Sequence, residues 1–246
     1  MKLAVIGGSG LDEVTGLEPG QSHRIMTAWG RPSDAVTSGM LNGVELLFLP
    51  RHGPGHQLPP HRINYRANIG VLADLGAEAI VATAAVGGIA AEAIPGVVVI
   101  PDQLIDYTSD REHTFFDGSQ SQPEHVDFAQ PYSSALRAKL VAAAASADVR
   151  VLDSGVYATT QGPRLETAAE IDRLQRDGCT IVGMTGMPEA ALARELGIDY
   201  ANLSLVVNPA AGHSSEPITM HSIERELSLG MVKLCSIIDA LTRKLT

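Results

Sequence analysis

The sequence predicts an α/β fold in one domain spanning residues 1–246, and three observations carry that prediction. Short β-branched runs alternate with segments of helical period along most of the chain, the sequence form of strands and helices taken in turn. The interior vocabulary is Ala, Val, Ile and Leu: 45% of residues are hydrophobic and only 4% aromatic, and 24 glycines turn the chain. No repeat, low-complexity tract or linker interrupts it, so the length is spent on a single core.

The elements follow in order. Leu3 to Ile6 is apolar throughout and reads as a buried strand, ended by Gly7-Gly8-Ser9-Gly10. Val44 to Pro50 is a second strand that delivers the chain to Arg51-His52-Gly53. Apolar residues at 63, 67, 71, 72 and 75 keep helical spacing and predict a helix from Arg62 to Leu75, stopped by Gly76. Ala79 to Ala85 and Val97 to Ile100 are buried strands; Thr108 to Pro131 is polar and aperiodic. A long irregular insertion in a compact domain is usually functional or lies at a subunit contact. A helix near Ser134 to Ala145, a strand from Val149 to Thr160 and a helix from Thr167 to Arg176 come next. Then come a strand Thr180 to Met184, a helix Glu189 to Leu196, a strand Ala201 to Val207 and a last helix from Thr219 to Leu241.

Charge narrows the partners. The chain has 18 basic and 28 acidic residues, a net charge of -10. A field of that sign repels phosphate backbones and anionic membranes, so neither nucleic acid nor a membrane surface is expected as a partner. A small anion is still allowed where N–H groups and Arg outweigh the field at short range. The apolar run at the amino end breaks on glycine after six residues, as a strand does and a signal peptide does not. No apolar run approaches twenty residues, so no membrane span is expected. Cys179 and Cys235 lack pairing or metal spacing and read as two reduced thiols, consistent with a cytoplasmic protein.

Five segments at the carboxyl ends of expected strands carry the chemistry, which is where open α/β sheets place ligands. Gly7-Gly8-Ser9-Gly10 can turn successive N–H groups inward and add the Ser9 hydroxyl, which suits a phosphate. It is no dinucleotide fingerprint, because Glu13 stands where the third glycine would be, and no Lys-Ser/Thr follows as in a P-loop. Arg51 offers a fork of donors to phosphate oxygens, and His52 a further donor. His52, His56 and His61 share a Pro/Gly loop without a cysteine or paired carboxylate close by, so no metal is expected. The other three segments are Gly162 to Thr167, Gly183 to Glu189 and Asn208 to Gly212. Taken singly, Glu166 also suits a helix start and Asn208 a turn.

The ordered set GGSGL, RHGPGH, HRINYRAN, TAAVGG, QGPRLET and GMTGMPEAALARE resembles the trimeric purine nucleoside phosphorylase and methylthioadenosine phosphorylase family, from Lys2 to about Ile238. That resemblance implies a single domain with a mixed central β-sheet flanked by helices, a homotrimer, no cofactor, and inorganic phosphate as co-substrate. It implies phosphate binding at Ser9, Arg51, His52 and Thr185, with backbone near Ala84 and Ala85 assisting, and Met184 against sugar and base. His125 matches a histidine that reaches a neighbouring subunit's site. Two positions depart from the pattern: Ala84, where relatives offer a hydroxyl, and Leu165, where an aromatic often packs on the base.

Substrate choice rests on the two ends of the nucleoside. Relatives using 6-aminopurines place aspartates after the last strand; here Asn208, Pro209 and Ala210 follow it. Asn208 can donate to O6 and share a proton with N7, and Glu166 can accept from N1–H of a 6-oxopurine. At the 5′ end, enzymes for ordinary inosine use a histidine on the last helix, whereas Met220 and Ile223 are apolar and fit a thioether. A one-residue slip would substitute His221. The expected substrate is S-methyl-5′-thioinosine, cleaved by phosphate through an oxocarbenium-like transition state, with Asn208 stabilising the leaving base. The rivals are a general inosine/guanosine phosphorylase, a methylthioadenosine phosphorylase, a hydrolytic nucleosidase and a non-catalytic anion-binding module.

Overall fold

The computed structural model describes residues 1–11, 14–118, 122–214 and 217–245, so Glu13 lies outside the described residues. Its strands are β1 (Leu3–Gly7), β2 (Glu18–His23), β3 (Val36–Leu41), β4 (Val44–Pro50), β5 (Ala79–Gly88), β6 (Val98–Val99), β7 (Gln103–Asp106), β8 (Val151–Leu152), β9 (Val156–Thr159), β10 (Ile181–Gly183) and β11 (Asp199–Pro209). The α-helices are α1 (Tyr65–Asp74), α2 (Ser134–Ser146), α3 (Ala168–Arg176), α4 (Glu189–Glu195) and α5 (Met220–Arg243). The strands form one mixed sheet, with β2-β3-β4-β1-β5-β10-β9-β7 as its main path and β11 joining β5 to β6 and β8.

Alternation along β1 and β4 explains why helices cover both faces. Leu3, Val5, Leu46 and Phe48 turn toward α2 and α5, where Leu136, Leu140, Leu234 and Ile237 meet them. Ala4, Ile6, Leu47 and Leu49 turn the other way, onto Ile69, Leu72 and Leu192 of α1 and α4. Each fully buried aliphatic side chain contributes about 1.5–3 kcal/mol.

The strand that positions the site is β5. Residues Ala79–Ala82 pair parallel with β1, and Gly87 and Gly88 pair antiparallel with β10. On the opposite edge β11 runs parallel along the whole of β5. From Thr83 to Val86, β5 therefore has no strand on the β1/β10 side, and the sheet forks there. A ligand site belongs at such a fork, where strand ends diverge and backbone polar groups face an opening.

Most expected elements are present, with informative differences. The run expected as one strand from Val149 to Thr160 is two strands, because Gly155, at φ 146°, turns the chain and its N–H donates to Asp102 at 2.7 Å. The first part pairs with β6, the second with β7 and β10. Strands β2, β3 and β7 were not expected, since sequences such as EPGQSH lack an apolar alternation. Helix starts carry their own signals: Asn64 accepts from Ala67 N–H, and Thr167 and Glu170 form a capping box that opens α3 at Ala168. Among the described residues no helix is long and apolar enough to cross a membrane.

Candidate active site

The five strand-end segments converge on one cavity of about 410 Å³ at the fork of the sheet. Its size is that of a small-molecule site, roughly 300–1,000 Å³. Its lining includes Ser9, Arg51, His52, Glu166, Met184, Thr185, Asn208, Ala210, Met220 and Ile223. Of the residues expected there, Pro209 does not line it, and His125, expected to reach a neighbouring subunit's site, lies away from its own chain's cavity. Pro209 instead offers its carbonyl to Asn208 Nδ2 at 2.6 Å, and His125 is exposed.

At one end lies a closed set of donors. Gly8 N–H donates to the Thr83 hydroxyl at 2.8 Å, which in turn donates to the Ile6 carbonyl. A Cβ at Gly8 would sit 2.5 Å from the Thr83 carbonyl oxygen, so only glycine allows this approach. Arg51 is fully buried: Nε donates to Glu189 Oε1 at 2.5 Å, Nη2 to Oε2 at 3.0 Å, and Nη1 to the Thr83 carbonyl at 2.7 Å. A guanidinium has five N–H groups, so one remains on each terminal nitrogen for an anion. Tyr200 donates its hydroxyl to Glu189 Oε2 at 3.0 Å, completing the carboxylate's shell. Burial pulls the Arg51 pKa down, and Glu189 more than reverses this, so the guanidinium stays charged.

His52 differs from its expected role as a donor. Burial, with the Arg51 charge second, pushes its pKa down to about 3, so the ring is neutral at physiological pH. Its Nδ1 lies 2.8 Å from the Leu58 carbonyl, which can only accept, so the proton is on Nδ1 and Nε2 is an acceptor. The ring stacks on His56 at 4.0 Å, and His56 Nε2 lies 3.4 Å from Ser9 Oγ.

Glu166 and Asn208 also line the cavity. The Thr160 hydroxyl donates to Glu166 Oε1 at 2.6 Å and fixes that carboxylate. Asn208 follows a register shift in β11 after Val206, an irregularity that re-aims the side chains beyond it. Gly162, at φ 62°, lies so near Met184 that a Cβ would be 2.4 Å from its sulfur, which keeps the thioether against the wall. Leu165 lines the same region and is 45% exposed.

The lining also has an apolar part: Ile218, Met220 and Ile223 belong to it, and His221 does not. Met220 is 67% exposed.

A family signature described as the phosphorylase superfamily matches residues 2–243. The chain belongs to the phosphorylase superfamily. Within it, the chain is 56% identical over 231 residues to a probable S-methyl-5′-thioinosine phosphorylase of Pseudomonas syringae pv. tomato, covering 94% of each chain. It is 45% identical over 231 residues to a 6-oxopurine nucleoside phosphorylase of Pyrococcus furiosus, covering 92% of this chain and 86% of the other. The solved methylthioadenosine phosphorylase of Schistosoma mansoni, in complex with adenine, superposes with a TM-score of 0.95 at 31% identity, covering 99% of this chain and 91% of that one. The phosphorylase superfamily fold expected from the motifs is therefore the fold observed.

Three residues of the phosphorylase site had been given no role. Glu189 stood in a quoted motif, and its signal was available: an arginine at the end of a buried strand needs a carboxylate. Thr83, which ties Gly8 to β5, carried no sequence signal. Thr160 carried none either, since its hydroxyl matters only once Glu166 is placed.

Proposed function

We propose that the protein cleaves the N-glycosidic bond of a 6-oxopurine nucleoside with inorganic phosphate, and that its substrate is S-methyl-5′-thioinosine, giving hypoxanthine and 5-methylthioribose 1-phosphate. The observation that carries this reading is the set of groups that line one cavity: Arg51, His52, Ser9 and Thr185 to hold an anion, Glu166 and Asn208 to read a base, and the apolar Ile218, Met220 and Ile223. The names of the similar proteins point the same way.

In this reading phosphate sits at the closed end as the nucleophile. The two uncommitted Arg51 N–H groups and the Ser9 and Thr185 hydroxyls donate to its bare oxygens. His52 Nε2, an acceptor, takes the P–OH of hydrogen phosphate. Because Glu189 cancels the Arg51 charge, the site holds its anion through directed N–H and O–H dipoles. Such pre-set donors need no reorganisation as the reaction proceeds. Glu166 accepts from N1–H of the base, and the remaining Asn208 N–H donates to O6 as negative charge develops on the leaving purine, while its Oδ1 shares the proton taken up at N7. Holding nucleophile and nucleoside together supplies the remaining advantage. No side chain attacks carbon, and no cofactor takes part. The 5′-methylthio group lies on Met220 and Ile223. The assembly is a homotrimer in the cytoplasm, in which His125 of each chain reaches toward a neighbour's site.

Release of base in the presence and absence of phosphate tests the reaction type. Release that depends on phosphate and yields a sugar 1-phosphate is expected; equal release without phosphate would make the protein a hydrolase.

A further inference from the structure

Arg111, in the aperiodic segment after β7, is buried, does not line the cavity, and has no carboxylate among its hydrogen-bond partners. Its guanidinium instead gathers acceptors from three walls. Nη1 donates to the carbonyls of Met184 at 2.8 Å and Met187 at 2.6 Å, on the loop after β10. Nη2 donates to those of Thr160 at 3.3 Å and Gln161 at 2.9 Å, beyond the end of β9, and Nε to Gln161 Oε1 at 3.2 Å. Nη1 also lies 3.2 Å from the Tyr65 hydroxyl, which donates to the carbonyl of Pro60, a lining residue.

We propose that Arg111 is a positioning residue that sets base recognition by cross-bracing these walls. The physical case is a matter of cost. A buried cation solvated by carbonyl dipoles is expensive to maintain, and an apolar residue would pack the loop without that expense. What only a guanidinium supplies is a planar fork that reaches all these acceptors at once. Three of them belong to the Thr160-Gln161 pair, whose Thr160 hydroxyl orients Glu166, and one is the carbonyl of Met184 in the cavity wall. Arg111 therefore acts on the base through Thr160 and Glu166. Of the phosphate donors, Arg51 rests on a separate support, Thr83 and Glu189, and Thr185 alone lies in the loop that Arg111 braces.

The proposal rests on the 6-oxopurine reading, and calorimetric binding of hypoxanthine and of inorganic phosphate separates the two. The variants are Arg111→Lys, Thr160→Val and the double replacement. Each single change is expected to weaken hypoxanthine binding about tenfold and phosphate binding less than about threefold. The double variant is expected to lose little more than the worse single one, because both act on one carboxylate. Wild-type hypoxanthine affinity in Arg111→Lys, fully multiplying effects, or an equal fall in both affinities would overturn the proposal. If Arg111→Lys does not fold, Gln161→Ala removes one acceptor alone: about threefold weaker base binding supports the proposal, and unchanged binding overturns it. A wild type that binds no hypoxanthine would overturn the 6-oxopurine reading together with this one, whereas a wild type that binds it leaves that reading standing whatever the variants do.

Discussion

Two parts of the cavity lining are built in opposite ways. At the closed part Arg51 and Glu189 are both fully buried, and the ends of β1 and β4, the middle of β5 and the start of α4 are tied together by short hydrogen bonds. At the apolar part Met220, on the first turn of α5, is 67% exposed and shares the lining with Ile218 and Ile223. The difference separates two tasks. An anion is held only by donors fixed before it arrives, because flexible donors would lose their advantage to water. A thioether needs only apolar surface, and that surface can be completed by the substrate or by another subunit.

The largest expected effect comes from breaking the closed end. Glu189→Gln leaves Arg51 buried with half its compensation gone, and should cost about 3–5 kcal/mol of stability. Denaturant unfolding reads that loss directly, and the phosphate KM should rise in the same variant. A loss below about 1 kcal/mol would mean the pair is not sealed as the geometry has it.

His52 makes the same end sensitive to acid. In the unfolded chain its pKa is the ordinary 6.5, and in the folded protein it is about 3, so between these values the unfolded state binds the extra proton. Stability from this group is thus complete above about pH 6.5 and is lost as pH falls toward about 3, at up to about 1.4 kcal/mol per unit. Unfolding free energies of wild type and His52→Asn across that window should differ in slope by nearly one proton. Parallel slopes would place the His52 pKa near its ordinary value.

A subtler change at the closed end is Thr83→Val, which keeps the packing volume and removes the acceptor of Gly8 N–H. The phosphate KM is expected to rise about fivefold with the nucleoside KM little changed, since one buried hydrogen bond is worth about 1 kcal/mol. The open end should respond least: Ile223→His supplies a donor for a 5′-hydroxyl and should shift kcat/KM toward inosine by only a fewfold, because the exposed site is partly solvated already. A large shift there would show that the apolar end is as tightly built as the phosphate end.

What could be read from the sequence follows the same division. The five strand-end segments were legible because glycines, a strand-end arginine and helix starts are local signals, and all five meet at the cavity. That Met220 and Ile223 line the cavity was legible except for a one-residue ambiguity; Thr219 caps α5, which starts at Met220, and His221 is not in the lining. The support of the closed end was not legible. Arg51 and Glu189 are 138 residues apart, and Arg111 reaches carbonyls whose identity is irrelevant to the bond. The polarity of His52 was equally hidden, since it depends on which ring nitrogen meets the Leu58 carbonyl. Strands β2 and β3 escaped because an edge ribbon needs no alternating apolar face.

The central claim is that a 6-oxopurine site is joined to an apolar 5′ pocket, and kcat/KM for S-methyl-5′-thioinosine against inosine at saturating phosphate tests it most directly. The structure predicts a preference for the methylthio nucleoside of at least about tenfold, the scale of discrimination an apolar pocket supplies. Equal rates, or a preference for inosine, would contradict it.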